Sequence, residues 1–357
     1  MNNQIEIEKH IEEFKIKQEL YKQFAEEIAK FLKVKIENKN VKDFSVKHRP
    51  KDLKSFAGKI KRKEYADPLN DITDLAGVRI IVCYIDQIRI IEEIISNEFL
   101  IDTERSIDKS KFLKPDTFGY LSVHYIVSIS AQKKSDLSWS RFSGLLAEVQ
   151  LRTNLQDSWA IVSHTLYKNE NDVPDSLKRR LNRLAGIFEL ADQEFLEIKR
   201  ANERYIIELE KKYESGEIDE IGINYYSILQ FISHSHEVIE ARNVAKSIGM
   251  LNDQSVTEHY NKIDCSNIVE LCKTIGITSI GILEEVIKEY SRNNIKYIQV
   301  IGNGKVWSVT NGFILFLLII KAKCEEISTD FLKRIYGWEK PTAEYILQQA
   351  KLCNDIL

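Results

Sequence analysis

Residues 145–152 alternate more sharply than any other stretch of the chain. Ala147, Val149 and Leu151 fall on one side, Glu148, Gln150 and Arg152 on the other. A period of two is the mark of a strand. The apolar side belongs against a core. The other side either meets water or lines a polar site, because a buried Glu beside Gln and Arg is costly without partners. A β-branched run at 77–84 predicts a buried strand. Residues 121–129 predict another, with Val123, Tyr125, Val127 and Ile129 on one face and Ser122, His124 and Ile126 on the other. The first half of the chain is therefore built round a sheet.

Helical patterns surround these strands. Residues 4–37 carry one apolar stripe, Ile11, Phe14, Tyr21, Phe24, Ile28 and Phe31. Residues 55–63, 86–98 and 155–212 also read as helical, and Asp67-Pro68 breaks the chain after the first of these. From about residue 222 helices dominate. Gly249, Gly276, Gly281 and Gly302-Asn303-Gly304 punctuate them, and 295–309 is expected to hold a short hairpin around the last group. With 357 residues the chain has room for two domains. The expected division is 1–215, with its sheet, and a helical accessory domain at 222–357. The longest apolar run, 313–320, has eight residues where a membrane span needs about 20, so it reads as core. The polar N-terminus predicts no signal peptide. The five Cys show no zinc spacing and read as free buried thiols of a cytoplasmic protein. His234, His236 and Glu237 read as a solvated helix face.

Hydrophobic residues at 43% and charged residues at 29% are ordinary for a soluble globular chain. A net charge of −3 argues against a general polyanion binder, but residues 42–63 hold nine Lys or Arg against two Asp. Such an island suits one phosphorylated ligand. Within it Arg49, Lys51, Ser55 and Lys59 are spaced so that the last three would share one helix face. The alternative is a solvated basic helix. Asp74 lies just before the 77–84 strand. If that strand neighbours 145–152, Asp74 and Glu148 meet, and two carboxylates beside a basic island can hold Mg²⁺ against nucleotide phosphates. Tyr120 follows Gly119 at a strand entry and could stack on a base; His124 shares its face. No Walker-type glycine loop is present, which excludes a P-loop kinase.

Taken in order, Arg-x-Lys with Ser and Lys following, Asp-Leu-Ala-Gly-Val-Arg, Gly-Tyr-x-Ser-x-His and Glu-Val-Gln-Leu-Arg-Thr resemble the synthetase domain of the RelA/SpoT family of (p)ppGpp synthetases. The resemblance covers about residues 45–170. It implies an α+β fold, a mixed five-stranded sheet flanked by helices and related to nucleotidyltransferases. It implies transfer of the β,γ-pyrophosphate of ATP to a ribose 3′-hydroxyl of GTP or GDP. By the matched positions, Arg49 would pack on adenine, and Lys51, Ser55 and Lys59 would bind ATP phosphates. Asp74 would hold Mg²⁺, and Glu148 would share the metal or activate the hydroxyl. Tyr120 would stack on the acceptor base, with His124, Gln150 and Arg152 around it.

The chain departs from the family pattern in places. Asp116 and Phe118 stand where Lys and Asn are usual, and Asp157 and Ile161 where many small members have His and Glu. The first pair, with the basic cluster Lys178, Arg179, Arg180 and Arg183, leaves open a toxin-type reaction on the 3′-terminal adenosine of tRNA. The second pair leaves open an inactive nucleotide-binding module. No hydrolase half is recognisable, so (p)ppGpp hydrolysis is not expected. Residues 222–357 match no pattern. They are expected to regulate the synthetase through a protein or ligand effector, or to assemble homo-oligomers.

Overall fold

The computed structural model describes residues 2–63, 65–108, 122–166, 174–250, 257–303 and 309–355, without the side chains of 2–4 and 257–261. The chain divides into two compact units, Met1–Arg200 and Ala201–Leu357.

In the first unit α1 (Asn2–Glu37) precedes β1 (Ser45–Pro50), α2 (Leu53–Arg62), α3 (Pro68–Asp71), β2 (Ala76–Val82) and α4 (Asp86–Glu98). Then come β3 (Phe99–Asp108), β4 (Val123–Ile129), the single turns α5 (Ala131–Lys134) and α6 (Leu137–Ser140), β5 (Ala147–Thr153) and α7 (Asn154–Leu166). The long helix α8 (Asp175–Ser215) follows, and the division between units falls within it. The sheet order is β1-β2-β5-β4-β3, with β2 and β5 parallel and every other pair antiparallel. This is the mixed five-stranded sheet that the family resemblance implied.

The alternation in the sequence decides which face of the sheet is dry. Val78, Ile80, Val82, Ala147, Val149, Leu151, Val127 and Ile129 are buried with Phe14, Phe24, Ile28 and Leu32 of α1 and Ile91 and Ile95 of α4. Removing each such side chain from water contributes about 1.5–3 kcal/mol. The α1 stripe also sets the basic helix in place. Phe14 stacks on Phe56 of α2 with ring centroids 4.3 Å apart. The Gln18 amide donates to the Lys51 carbonyl at 3.0 Å. Asp52 caps α2, its carboxylate accepting from the Ser55 backbone N–H at 2.8 Å. Phe56→Ala would cost about 3–5 kcal/mol and release α2 from the sheet.

The second unit is helical: α9 (Tyr225–His234), α10 (His236–Ser247), α11 (Thr257–Thr274), α12 (Ile280–Glu289), α13 (Asn294–Gly302), α14 (Asn311–Ala322), α15 (Thr329–Tyr336) and α16 (Lys340–Asn354). The run 313–320 lies on α14 and is buried throughout. The hairpin expected at 295–309 is not formed: 295–302 belong to α13. The glycine-rich turn signal was outweighed by the helical spacing of Tyr297, Ile298 and Ile301, all fully buried. Gly302 ends that helix against the side chains of Ile248 and Met250. Cys265, Cys272, Cys324 and Cys353 are buried free thiols, whereas Cys83 is half-exposed. Among the described residues no helix is long and apolar enough to cross a membrane.

Candidate active site

The polar face of the sheet is built by register. Gly77 pairs with Glu148 and Arg79 with Gln150 across β2 and β5, and His124 of β4 pairs with Gln150 from the other side. Because side chains alternate, Arg79, Glu148, Gln150, Arg152 and His124 all rise on the face opposite the core. Gly77 puts no side chain beside Glu148.

A cavity of about 780 Å³ opens over this face. Of the residues singled out in the sequence, Arg49, Lys51, Ser55, Lys59, Asp74, Glu148 and Gln150 line it. Arg49 is the penultimate residue of β1 and pairs with Gly77. Lys51 precedes α2 and is not on the helix as its spacing suggested, because Asp52 is the N-cap and the Lys51 N–H is bonded to the Leu75 carbonyl (2.9 Å). Its ammonium nevertheless reaches Asp74 Oδ2, while Lys59 Nζ from α2 reaches Oδ1 at 3.0 Å. Burial raises the Asp74 carboxyl pKa, but the two ammonium groups outweigh it and hold the group below the ordinary range.

Glu148 is held from both sides. His124 Nδ1 donates to Oε1 at 2.9 Å and the Gln150 amide to Oε2 at 2.8 Å. Here too burial pushes the pKa up, and the His124 contact, with help from Gln150, brings it below the usual glutamate value; the Asp74 charge opposes this. The two carboxylates line one cavity. They do so because β2 and β5 are neighbours.

His124 and Arg152 stand behind the lining residues. Arg152 donates from NH2 to the Gln150 carbonyl oxygen and from NH1 to Asp157 Oδ1, both at 2.9 Å. Asp157 is buried in the first turn of α7, and Ile161 points out at 55% exposure. Tyr120, Asp116 and Phe118 lie outside the described residues. Lys178, Arg179, Arg180 and Arg183 lie on α8 and are not among the lining residues.

Several lining residues were not assigned from sequence: Lys47, His48, Lys54, Arg62, Arg79 and His164. Arg79 carried a usable signal, an Arg two residues beyond Gly77 on the face shared with Glu148. His164 carried none, since only the placement of α7 brings it near.

A mixed sheet with two carboxylates and a basic helix on its polar face is the arrangement that the resemblance to a synthetase domain implied. The pattern described as the region found in RelA / SpoT proteins matches residues 48–172. GTP pyrophosphokinase YwaC of Bacillus subtilis is 30% identical over 159 residues, 43% of this chain and 72% of that protein. GTP pyrophosphokinase YjbM of the same organism is 29% identical over 194 residues, 50% of this chain and 85% of that protein. The solved small alarmone synthetase 1 from Bacillus subtilis is 28% identical, with 52% of this chain and 94% of that one covered at a TM-score of 0.43. The chain belongs to the RelA/SpoT family.

Proposed function

We propose that this chain is a pyrophosphokinase that moves the β,γ-pyrophosphate of ATP onto the 3′-hydroxyl of GTP or GDP, giving (p)ppGpp and AMP. The observation that carries the reading is the single cavity in which Lys51 and Lys59 bracket Asp74 while Glu148 stands on the neighbouring strand. The two relatives named as GTP pyrophosphokinases supply the acceptor.

Each residue then has a task. Arg49, at the cavity edge, packs on the adenine. Lys51, Ser55 and Lys59 take the phosphates and offset their charge. The 3′-oxygen attacks the β-phosphorus, the bond from that phosphorus to the oxygen shared with the α-phosphate breaks, and AMP leaves with that oxygen. Glu148, kept ionised by His124 and Gln150, accepts the hydroxyl proton. Holding both of its oxygens fixes where it can take the proton. Arg152 and Gln150 keep that geometry. Tyr120, by its matched position, stacks on the acceptor base.

The donor set fits Mg²⁺. Asp74 and Glu148 are oxygen ligands of one cavity, too few for a closed protein cage but suited to an ion that completes its shell with substrate phosphates and water. When bound, such an ion supplies charge neutralisation on the transferring group.

The test is direct. Purified chain, labelled ATP and Mg²⁺ are mixed with GTP, GDP or deacylated tRNA, and the products are separated. Label on guanosine nucleotides at the 3′ position is expected, together with AMP in equal amount. Label confined to tRNA would replace the acceptor, and no transfer at high enzyme concentration would overturn the reading.

A further inference from the structure

Asp157 entered the sequence reading only as a departure from the family pattern, yet two arginines of the site converge on one of its oxygens. Arg152 NH1 donates to Oδ1 at 2.9 Å, and Arg79 NH1 pairs with the same oxygen at 3.2 Å. The Arg152 and Asp157 side chains are 7% and 8% exposed, and Arg79 is 27% exposed where it lines the cavity. The arginines come from neighbouring parallel strands and rise on the same face as Glu148. Two guanidiniums so placed repel each other strongly away from water, and a carboxylate between them is what lets both stay.

From Asp157 a chain of bonds runs in two directions. One ends at the cavity wall through Arg79. The other passes through Arg152 to the Gln150 carbonyl oxygen, which fixes that amide so that its nitrogen donates to Glu148 Oε2 at 2.8 Å. The opposite amide orientation would aim an N–H at a guanidinium and an oxygen at a carboxylate. Arg152 therefore sets the sense of Gln150, and Asp157 sets Arg152. The helix that carries Asp157 follows β5 without a break, so its first turn is rigidly tied to the strand that carries Glu148.

We propose that Asp157 is a positioning residue for the transfer reaction, holding Arg79 in the nucleotide wall and, through Arg152 and Gln150, the Glu148 carboxylate. This inference rests on the function proposed for Glu148 and the cavity above. A purely structural Asp157 would only pin α7 to the sheet, and its loss would lower stability without changing the folded enzyme.

The experiment uses the full chain as wild type, Asp157→Asn, Arg152→Met and the double variant. The readouts are kcat, KM for ATP and for the acceptor, melting temperature, and the Kd of α,β-methylene-ATP. Asp157→Asn keeps the side-chain volume and removes the charge. It is expected to lower kcat about 10- to 100-fold, to raise KM for the acceptor less than threefold, and to weaken the analogue three- to tenfold through Arg79. In the Arg152→Met background the same change is expected to lower kcat less than threefold, because the link it acts through is gone. An Asp157→Asn enzyme that folds and turns over within threefold of wild type overturns the proposal. So does an equal kcat loss with and without Arg152. Should Asp157→Asn fail to fold, Arg152→Lys tests the same link, since one ammonium cannot span Asp157 and Gln150. A tenfold kcat loss with unchanged acceptor KM then supports the proposal, and wild-type kcat overturns it. If the wild type transfers to no acceptor, the proposed function fails. The analogue Kd still decides the Arg79 arm, and an unchanged value overturns it.

Discussion

Lys51 and Lys59 hold opposite oxygens of Asp74, one from the turn after β1 and the other from the last turn of α2. The arrangement keeps two ammoniums on the wall of the cavity. Asp74→Asn should separate binding from turnover. The change keeps volume and frees both lysines, so affinity for α,β-methylene-ATP without metal should hold or rise. Turnover should fall by about 10³ or more, a loss of about 4 kcal/mol of transition-state stabilisation. Calorimetry alongside a transfer assay reads both. Parallel loss of binding and turnover would show that Asp74 organises the lysines instead of serving the reaction.

Glu148→Gln leaves an amide that can accept from only one of the two donors, His124 and Gln150, and cannot accept the hydroxyl proton. Turnover should fall about 10²- to 10⁴-fold, the usual range for a lost general base. The melting temperature should fall at neutral pH, since the lowered Glu148 pKa means that its ionised form stabilises the folded chain. A folded variant with more than a tenth of wild-type kcat would remove Glu148 from the chemistry.

Much of this site could be read in the sequence, because a strand obeys a period of two. Once Ala147, Val149 and Leu151 face the core, Glu148, Gln150 and Arg152 must share the other face. Adjacency could not be read that way. Only the β2–β5 pairing brings Asp74 to Glu148, and no local pattern states which strands pair. Lys51 shows how spacing misleads: i, i+4, i+8 promised one helix face, but Asp52 caps α2 and leaves Lys51 outside the helix. Tertiary folding still brought it to the same carboxylate. Asp157 was noticed only as a departure from the family pattern, and His164 not at all, because α7 follows helical periodicity regardless of what it covers. In the second unit the Gly302-Asn303-Gly304 signal pointed to a turn between strands, whereas the buried positions Tyr297, Ile298 and Ile301 obeyed the helix.

Asp192 on α8 predicts a pH effect on stability. It is 2% exposed, Thr153 Oγ1 donates to its Oδ2 at 2.7 Å, and its Oδ1 finds no partner among the described residues. Burial lifts its pKa from 3.8 to about 6, against the smaller lowering effect of Thr153. A carboxyl whose folded pKa is raised binds more protons folded than unfolded. Its stabilisation is complete below pH 3.8 and is lost as pH rises to about 6, beyond which the cost is constant. A shift of this size corresponds to about 3 kcal/mol at most. Asp192→Asn should therefore gain melting temperature relative to wild type at pH 8 and much less at pH 4. The same difference at both pH values would mean that Asp192 does not titrate in this window.

Gly281 and Gly58 predict opposite responses to one substitution. Both lie on helices, where alanine is intrinsically better than glycine by about 1 kcal/mol. In the second unit a Cβ at Gly281 would sit 2.6 Å from the Asp219 Cα, 2.9 Å from its Oδ1 and 3.1 Å from its carbonyl oxygen. Backbone cannot yield as a side chain can. The neighbouring Ile280 N–H also donates to the Ile221 carbonyl at 2.7 Å, and Gly222 bridges Ser279, so the segment is clamped at close range. Gly281→Ala should destabilise by about 1–3 kcal/mol despite its better propensity. At Gly58, inside α2, a Cβ would meet nothing within 4 Å. Gly58→Ala should stabilise by about 0.5–1 kcal/mol. Urea unfolding of each variant beside wild type measures both signs. Stabilisation by Gly281→Ala would mean that α12 is free to move away from Asp219, and the close contact at the start of that helix would no longer account for its glycine.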